Sequence, residues 1–222
     1  MSSPELERLA LPRDPARRAP TLLVMLAGAY DAPQQFLEHG LATDCAAAGL
    51  DADLSLLRTD LAAVADGRLV PALHDQVIAP AREAGYRHLI LGGISIGAMM
   101  ALLHQDAFPG SADELLTLAT YPGNRSLSAH VAAAGGIARW DASTLANDEG
   151  ELRAWRAVQG LGRAGAPPLW FGYGEDDRFA ASQAMMAAAL PPSRVLTAAG
   201  GHDWPTWACL WRAWLTARRE TA

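Results

Sequence analysis

A chain of 222 residues, 50% hydrophobic and 19% charged with a formal net charge of −6, is sized for one globular domain with a full core. The mild acidity and the lack of an arginine-rich stripe argue against nucleic acid as the main partner. No apolar run is long enough to span a bilayer, which argues against a membrane protein.

Residues 1–20, with Arg13, Arg17 and Arg18 among prolines, read as a flexible, loosely held arm. They lack the apolar stretch of a secretory signal, so the cytoplasm is the expected location. Residues 21–27 form an apolar strand, followed by the loop Gly28-Ala29-Tyr30-Asp31-Ala32. Pro33 opens a helix running to about Gly49, since proline is tolerated in a first helical turn. A strand is expected at residues 52–57, a helix near 72–84 and another strand at 88–92. Later strands read from "ELLTLAT", "PLWFGY" and "RVLTAA", with helices near residues 180–190 and 205–218. Residues 124–167 hold two or three short helical stretches, either a small helical cap inserted over the sheet or a crossover helix with irregular flanks. The β-α rhythm predicts an α/β fold over residues 21–222, a single domain with a mainly parallel sheet and helices on both faces. Cys45 and Cys209 lie in alanine-rich helical stretches and read as reduced thiols.

The stretch "HLILGGISIGAMMALLH" changes from strand to helix at Ser95, with Gly93 and Gly97 on either side. Glycines at these positions let strand and helix approach, and the turn pushes the hydroxyl out at a helix N-terminus, where free N–H groups favour negative charge. This is the Gly-x-Ser-x-Gly arrangement of a nucleophile elbow. In an open α/β sheet chemistry collects at the C-terminal ends of strands. There the chain places Glu175-Asp176-Asp177-Arg178 after "PLWFGYG" and Gly200-Gly201-His202-Asp203-Trp204 after "RVLTAA". His39, His74, His88 and His104 fall on helices or strand starts and read as packing or capping residues, with His130 the second choice as a base. The spacing of these groups offers no metal pattern.

The elbow "GISIG", the acid turn "GEDD" and the histidine turn "GGHDW", in that order, resemble the α/β-hydrolase superfamily from Thr21 to Arg218. The ending "GGHDWPTW" is similar to that of small serine esterase-like members. The resemblance implies an α/β-hydrolase fold of reduced size, with Ser95 as nucleophile, His202 as base and Asp177 as acid, Asp176 being second choice. The implied oxyanion donors are the backbone N–H of Ile96 and that of Ala29 or Tyr30, where the family often has His-Gly and this chain has Ala27-Gly28. Tyr30, Tyr121 and Trp204 are expected as substrate-binding walls, while Trp207, Trp211 and Trp214 continue a stripe that packs the last helix on the sheet. The implied activity is cleavage of a carboxylic ester through an acyl-enzyme, without metal or organic cofactor. A thioesterase or acyltransferase using the same residues, or a non-catalytic small-ligand-binding member, is the alternative. The expected partner is a small-molecule acyl ester or thioester.

Overall fold

The structure, a computed structural model, describes residues 4–145 and 150–221. Its sheet runs β1 (Arg8–Leu11), β3 (Ala52–Leu57), β2 (Thr21–Leu26), β4 (His88–Ile94), β5 (Glu114–Leu118), β6 (Leu169–Gly174) and β7 (Val195–Ala198) from edge to edge. Strands β2 to β7 pair in parallel; β1 pairs antiparallel to β3. Among the described residues no helix is long and apolar enough to cross a membrane.

The apolar runs of the strands divide between two layers because successive side chains point to opposite faces. In β2, Leu22, Val24 and Leu26 pack into one core and Leu23 and Met25 into the other. The first core is closed by α3 (Leu61–Ala65), α4 (Leu69–Leu73), α5 (Ala79–Glu83), α6 (Ile96–Ala107), α8 (Leu152–Leu161) and part of α9 (Ala180–Ala187). The second is closed by α1 (Pro33–Glu38), α2 (Leu41–Ala47) and α10 (Trp204–Thr221). On α10 the buried Trp207, Trp211 and Trp214 form the stripe against the sheet.

Several elements differ from the sequence expectation. The segment read as a loosely held arm carries β1, and it is tied to the body by Arg13 N–H donating to Asp53 Oδ1 at 2.8 Å and by an Arg17–Asp51 ion pair at 2.9 Å. The single helix expected from Pro33 to Gly49 breaks into α1 and α2 at Gly40, whose φ of +87° ends the first helix. The helix expected near 72–84 begins earlier, at Leu69, and passes through a π-helical turn at His74–Ile78. Pro80 gives the reason: it has no N–H for the carbonyl of Gln76, and its ring crowds that carbonyl.

Residues 124–167 contain the crossover between β5 and β6. Its helix, α8, is fixed to α6 by Arg153 and Arg156, both 2.7 Å from the Asp106 carboxylate, and to the loop after β5 by the buried Trp155 indole donating to Pro122 O at 2.9 Å. The excursion before it is α7 (Arg125–Ala133), started by Asn124 accepting from Ser126 and Leu127 N–H, and then a turn of 3-10 helix at Ala142–Thr144. Residues 146–149, also inside the expected insertion, lie outside the described residues.

The chain leaves β2 towards β3 on one side and returns to β4 on the other. This reversal opens a crevice at the C-terminal ends of β2 and β4, the place where ligands meet open α/β sheets.

Candidate active site

Ser95 stands in that crevice, between the last residue of β4 and the first of α6, with φ +56° and ψ −117°. Among the described residues three non-glycines have positive φ: Tyr30 (67°), Ser95 (56°) and Ala119 (50°). All three lie just past the C-terminal ends of β2, β4 and β5, so the backbone strain, about 1–3 kcal/mol at each, is gathered at one edge of the sheet.

The two elbow glycines are needed for contact rather than conformation, since neither has a positive φ. A methyl group on Gly93 would lie 2.5 Å from the carbonyl carbon of Gly97, and one on Gly97 would lie 2.3 Å from Leu26 O and 2.5 Å from Ala27 O. The elbow is therefore wedged against both its own helix and the end of β2. It is held further by Ser95 N–H donating to Leu118 O at 2.9 Å and by Tyr121 N–H donating to Ser95 O at 3.1 Å.

Loops after β6 and β7 bring the next two groups. Glu175 N–H donates to Ala198 O (2.9 Å) and Asp176 N–H to Gly200 O (3.0 Å), lacing the two loops together. A methyl on Gly174 would sit 2.4 Å from Gly200 O, so that approach too requires glycine. The result is a line of hydrogen bonds: His202 Nε2 is 2.9 Å from Ser95 Oγ, and His202 Nδ1 is 2.7 Å from Asp177 Oδ2. An ionised Asp177 only accepts, so Nδ1 carries the proton and Nε2 is left as the acceptor for the serine O–H.

The Asp177 side chain is fully buried, and that of His202 is 12% exposed. Burial pushes the Asp177 carboxyl upward, but hydrogen bonds from His202, from Phe179 N–H (2.8 Å) and from Gln183 Nε2 (3.3 Å) outweigh it, and the net direction is downward. The Gln183 amide, itself buried, also donates to Thr120 O at 3.0 Å, so it spans the acid and the chain beyond β5. Asp176 is exposed, and one of its oxygens accepts from Gly200 N–H at 3.3 Å. Asp203 accepts from Thr206 N–H (3.1 Å) and Oγ1 (2.7 Å) at the start of α10.

The other expected residues are placed as follows. Ile96 is the first residue of α6, where a backbone N–H has no partner four residues back. Ala29 and Tyr30 form the middle of a turn closed by Asp31 N–H donating to Gly28 O at 3.3 Å. The Tyr30 side chain, expected as a pocket wall, stands in solvent with the residue 88% exposed, because its left-handed backbone turns the ring off the sheet edge. Tyr121 meets Phe179 edge-on at 5.5 Å, and Phe179 meets His202 edge-on at 5.3 Å. Trp204 stacks on His39 (4.5 Å, 6°), meets Phe36 edge-on and donates from its indole to Asp31 Oδ1 at 3.3 Å, joining α10 to α1 and the β2 loop. His130, the second choice as a base, is exposed on α7.

Phe179, Gln183 and Asp31 are not singled out by the sequence, which assigns Trp207 only to the packing stripe, yet all four stand around the hydrogen-bonded line. Trp207 meets the His202 ring edge-on at 5.3 Å, and its place three residues after Trp204 was the one signal available for it. Among the described residues no three His, Cys, Asp or Glu side chains form a group that could hold a metal ion. The thiol of Cys45 is buried and pushed up to about 12, chiefly by that burial; Cys209 is exposed.

Chemically, the line can draw the proton from Ser95 Oγ to His202 Nε2 while the buried carboxylate balances the imidazolium formed.

No family model and no curated protein matches the sequence. Solved structures do match it in three dimensions. Est1E from Butyrivibrio proteoclasticus superposes with a TM-score of 0.65 at 13% identity, over 97% of this chain and 93% of that one. FphF, a fluorophosphonate-binding serine hydrolase of Staphylococcus aureus, gives 0.62 at 11% identity over 95% and 97% of the two chains. MGS-MChE2, an alpha/beta hydrolase enzyme from the metagenome of sediments from the lagoon of Mar Chica, Morocco, gives 0.60 at 16% identity over 99% and 98%. The seven-stranded, mostly parallel sheet with helices on both faces, in a chain that superposes nearly end to end on these structures, is the α/β-hydrolase fold.

Proposed function

We propose that this chain is a serine hydrolase that cleaves a carboxylic ester through an acyl-enzyme. The observation that carries the reading is the line from Ser95 Oγ through His202 to the buried Asp177, presented on a strained elbow at the switch point of the sheet. Ser95 Oγ attacks the acyl carbonyl as His202 Nε2 takes its proton. The tetrahedral intermediate collapses when His202 returns that proton to the departing alcohol. Water then attacks the acyl-enzyme by the same route, and Ser95 regains its proton. Asp177 keeps the imidazole in the required tautomer throughout.

Two backbone donors would hold the oxyanion: Ile96 N–H at the start of α6, and Ala29 or Tyr30 N–H in the turn after β2. Support for the second lies in Tyr30 itself, a bulky residue kept in a left-handed conformation at that turn.

Fluorophosphonate labelling followed by intact mass, with hydrolysis of p-nitrophenyl esters, tests the proposal. The native chain is expected to gain one adduct and to turn over the esters, and Ser95→Ala to lose both. Labelling that persists in Ser95→Ala would place the nucleophile elsewhere.

A further inference from the structure

The carboxylates around Ser95 differ in what occupies them. Asp177 holds His202, Asp203 caps α10 through Thr206, and Asp176 accepts from Gly200 N–H. Asp31, half-buried where Asp176 is exposed, neither holds His202 nor caps a helix. One of its oxygens accepts from the Trp204 indole at 3.3 Å; the other stands over Gly28, 2.5 Å from where a methyl on that glycine would be. It forms no ion pair with an arginine among the described residues, and the chain has no lysine.

Its position makes this charge consequential. Gly28 begins the turn that presents the Ala29 and Tyr30 N–H groups, and its added methyl would also come within 3.9 Å of Ile94, the residue before Ser95. Burial pushes the Asp31 carboxyl upward, against the Trp204 hydrogen bond and the charges of His39 and His202. The carboxylate is thus half-desolvated beside the place where an oxyanion would form, and like charges there oppose one another. Exposed Glu175, Asp176 and Asp203 add the same sign on the neighbouring loops. Arg178, the arginine among them, lies over the Phe179 ring at 4.8 Å. A neutral ester would meet this field as a handicap. A substrate bearing its own positive charge would pair with Asp31.

We infer that Asp31 is a specificity-determining residue, selecting esters that carry an ammonium group close to the scissile bond. The inference rests on the hydrolase reading above. Two isosteric pairs test it. With the charge on the alcohol, 2-(trimethylammonio)ethyl butyrate is compared with 3,3-dimethylbutyl butyrate. With the charge on the acyl group, ethyl 4-(trimethylammonio)butyrate is compared with ethyl 5,5-dimethylhexanoate.

In at least one pair the native chain should favour the cationic ester about tenfold or more in kcat/KM, with the ratio shrinking as salt is added. Asp31→Asn, which keeps the shape and an oxygen for Trp204, should bring that ratio towards one, lowering the cationic rate and raising the neutral one. A native ratio below about ten in both pairs, or a preference that survives Asp31→Asn, overturns the assignment. Fluorophosphonate labelling of Ser95 separates the two failures. Labelling without charge preference rejects the role of Asp31 alone, whereas no labelling and no cleavage of any of the four esters rejects the hydrolase reading with it.

Discussion

Asp176 and Asp177 are adjacent and chemically identical, and the turn after β6 gives them opposite surroundings. Asp177 N–H returns to Gly174 O at 3.2 Å, which aims its side chain inward to His202, while Asp176 remains exposed. If Asp177 orients the base, Asp177→Asn should lower turnover by about four orders of magnitude through the wrong imidazole tautomer. Asp176→Asn should cost only about a few-fold, as expected of a charge in solvent. Both are measured on one activated ester, and a reversed order would move the acid by one residue. The downward direction at Asp177 fixes a pH window as well. Its contribution to stability is complete above the ordinary carboxylate range and is lost only as the pH falls below it. Ser95, Asp177 and His202 were legible in sequence because each follows a strand-like apolar run with glycines beside it, although β7, the run before His202, is half-buried to exposed. Asp31, Phe179 and Gln183 were not, since their contacts depend on how α1, α9 and α10 settle on the sheet.

At the scale of elements, α6 carries a second group with a testable consequence. His104 is fully buried, faces His74 of the π-helical turn at 3.3 Å and has no partner for Nδ1. Burial first, and the His74 charge second, lower it to about 3. Between about 6.5 and about 3 the unfolded chain takes up a proton that the folded chain refuses, so stability falls as the pH is lowered through this window. The slope from this group approaches about 1.4 kcal/mol per pH unit. His104→Leu removes the proton site and the unpartnered nitrogen together. Urea unfolding at several pH values should therefore show a shallower acid slope in the variant, and an unchanged slope would assign the acid sensitivity to other groups. The buried strands were readable to within about two residues because continuous apolar runs specify them. Helix interruptions were less so: the break at Gly40 and the π turn before Pro80 are single-residue backbone events inside otherwise helical patterns. β1 escaped altogether, being four residues long, with exposed and half-buried positions alternating and only the short apolar run Leu9-Ala10-Leu11.

That short strand matters to the molecule as a whole. β3 is buried at every position, and β1 covers the backbone of its outer edge, with Arg58 N–H donating to Glu7 O at 3.0 Å just beyond the pairing. An uncovered apolar edge is a template for pairing with another chain. Deleting residues 1–12 should therefore lower the melting temperature by several degrees and produce dimers or larger species in light scattering. An unaltered Tm and mass would show that β3 tolerates an open edge. The tryptophan stripe of α10 has a consequence of another kind. Trp207 lies edge-on to His202, and Trp204 meets Trp207 at 5.2 Å, so one of the chain's own fluorophores borders the imidazole and a second borders the first. The arrival of a bound molecule at His202 thus occurs within optical reach of an emitter that the fold already supplies, and the site can be watched by its own light without an attached dye.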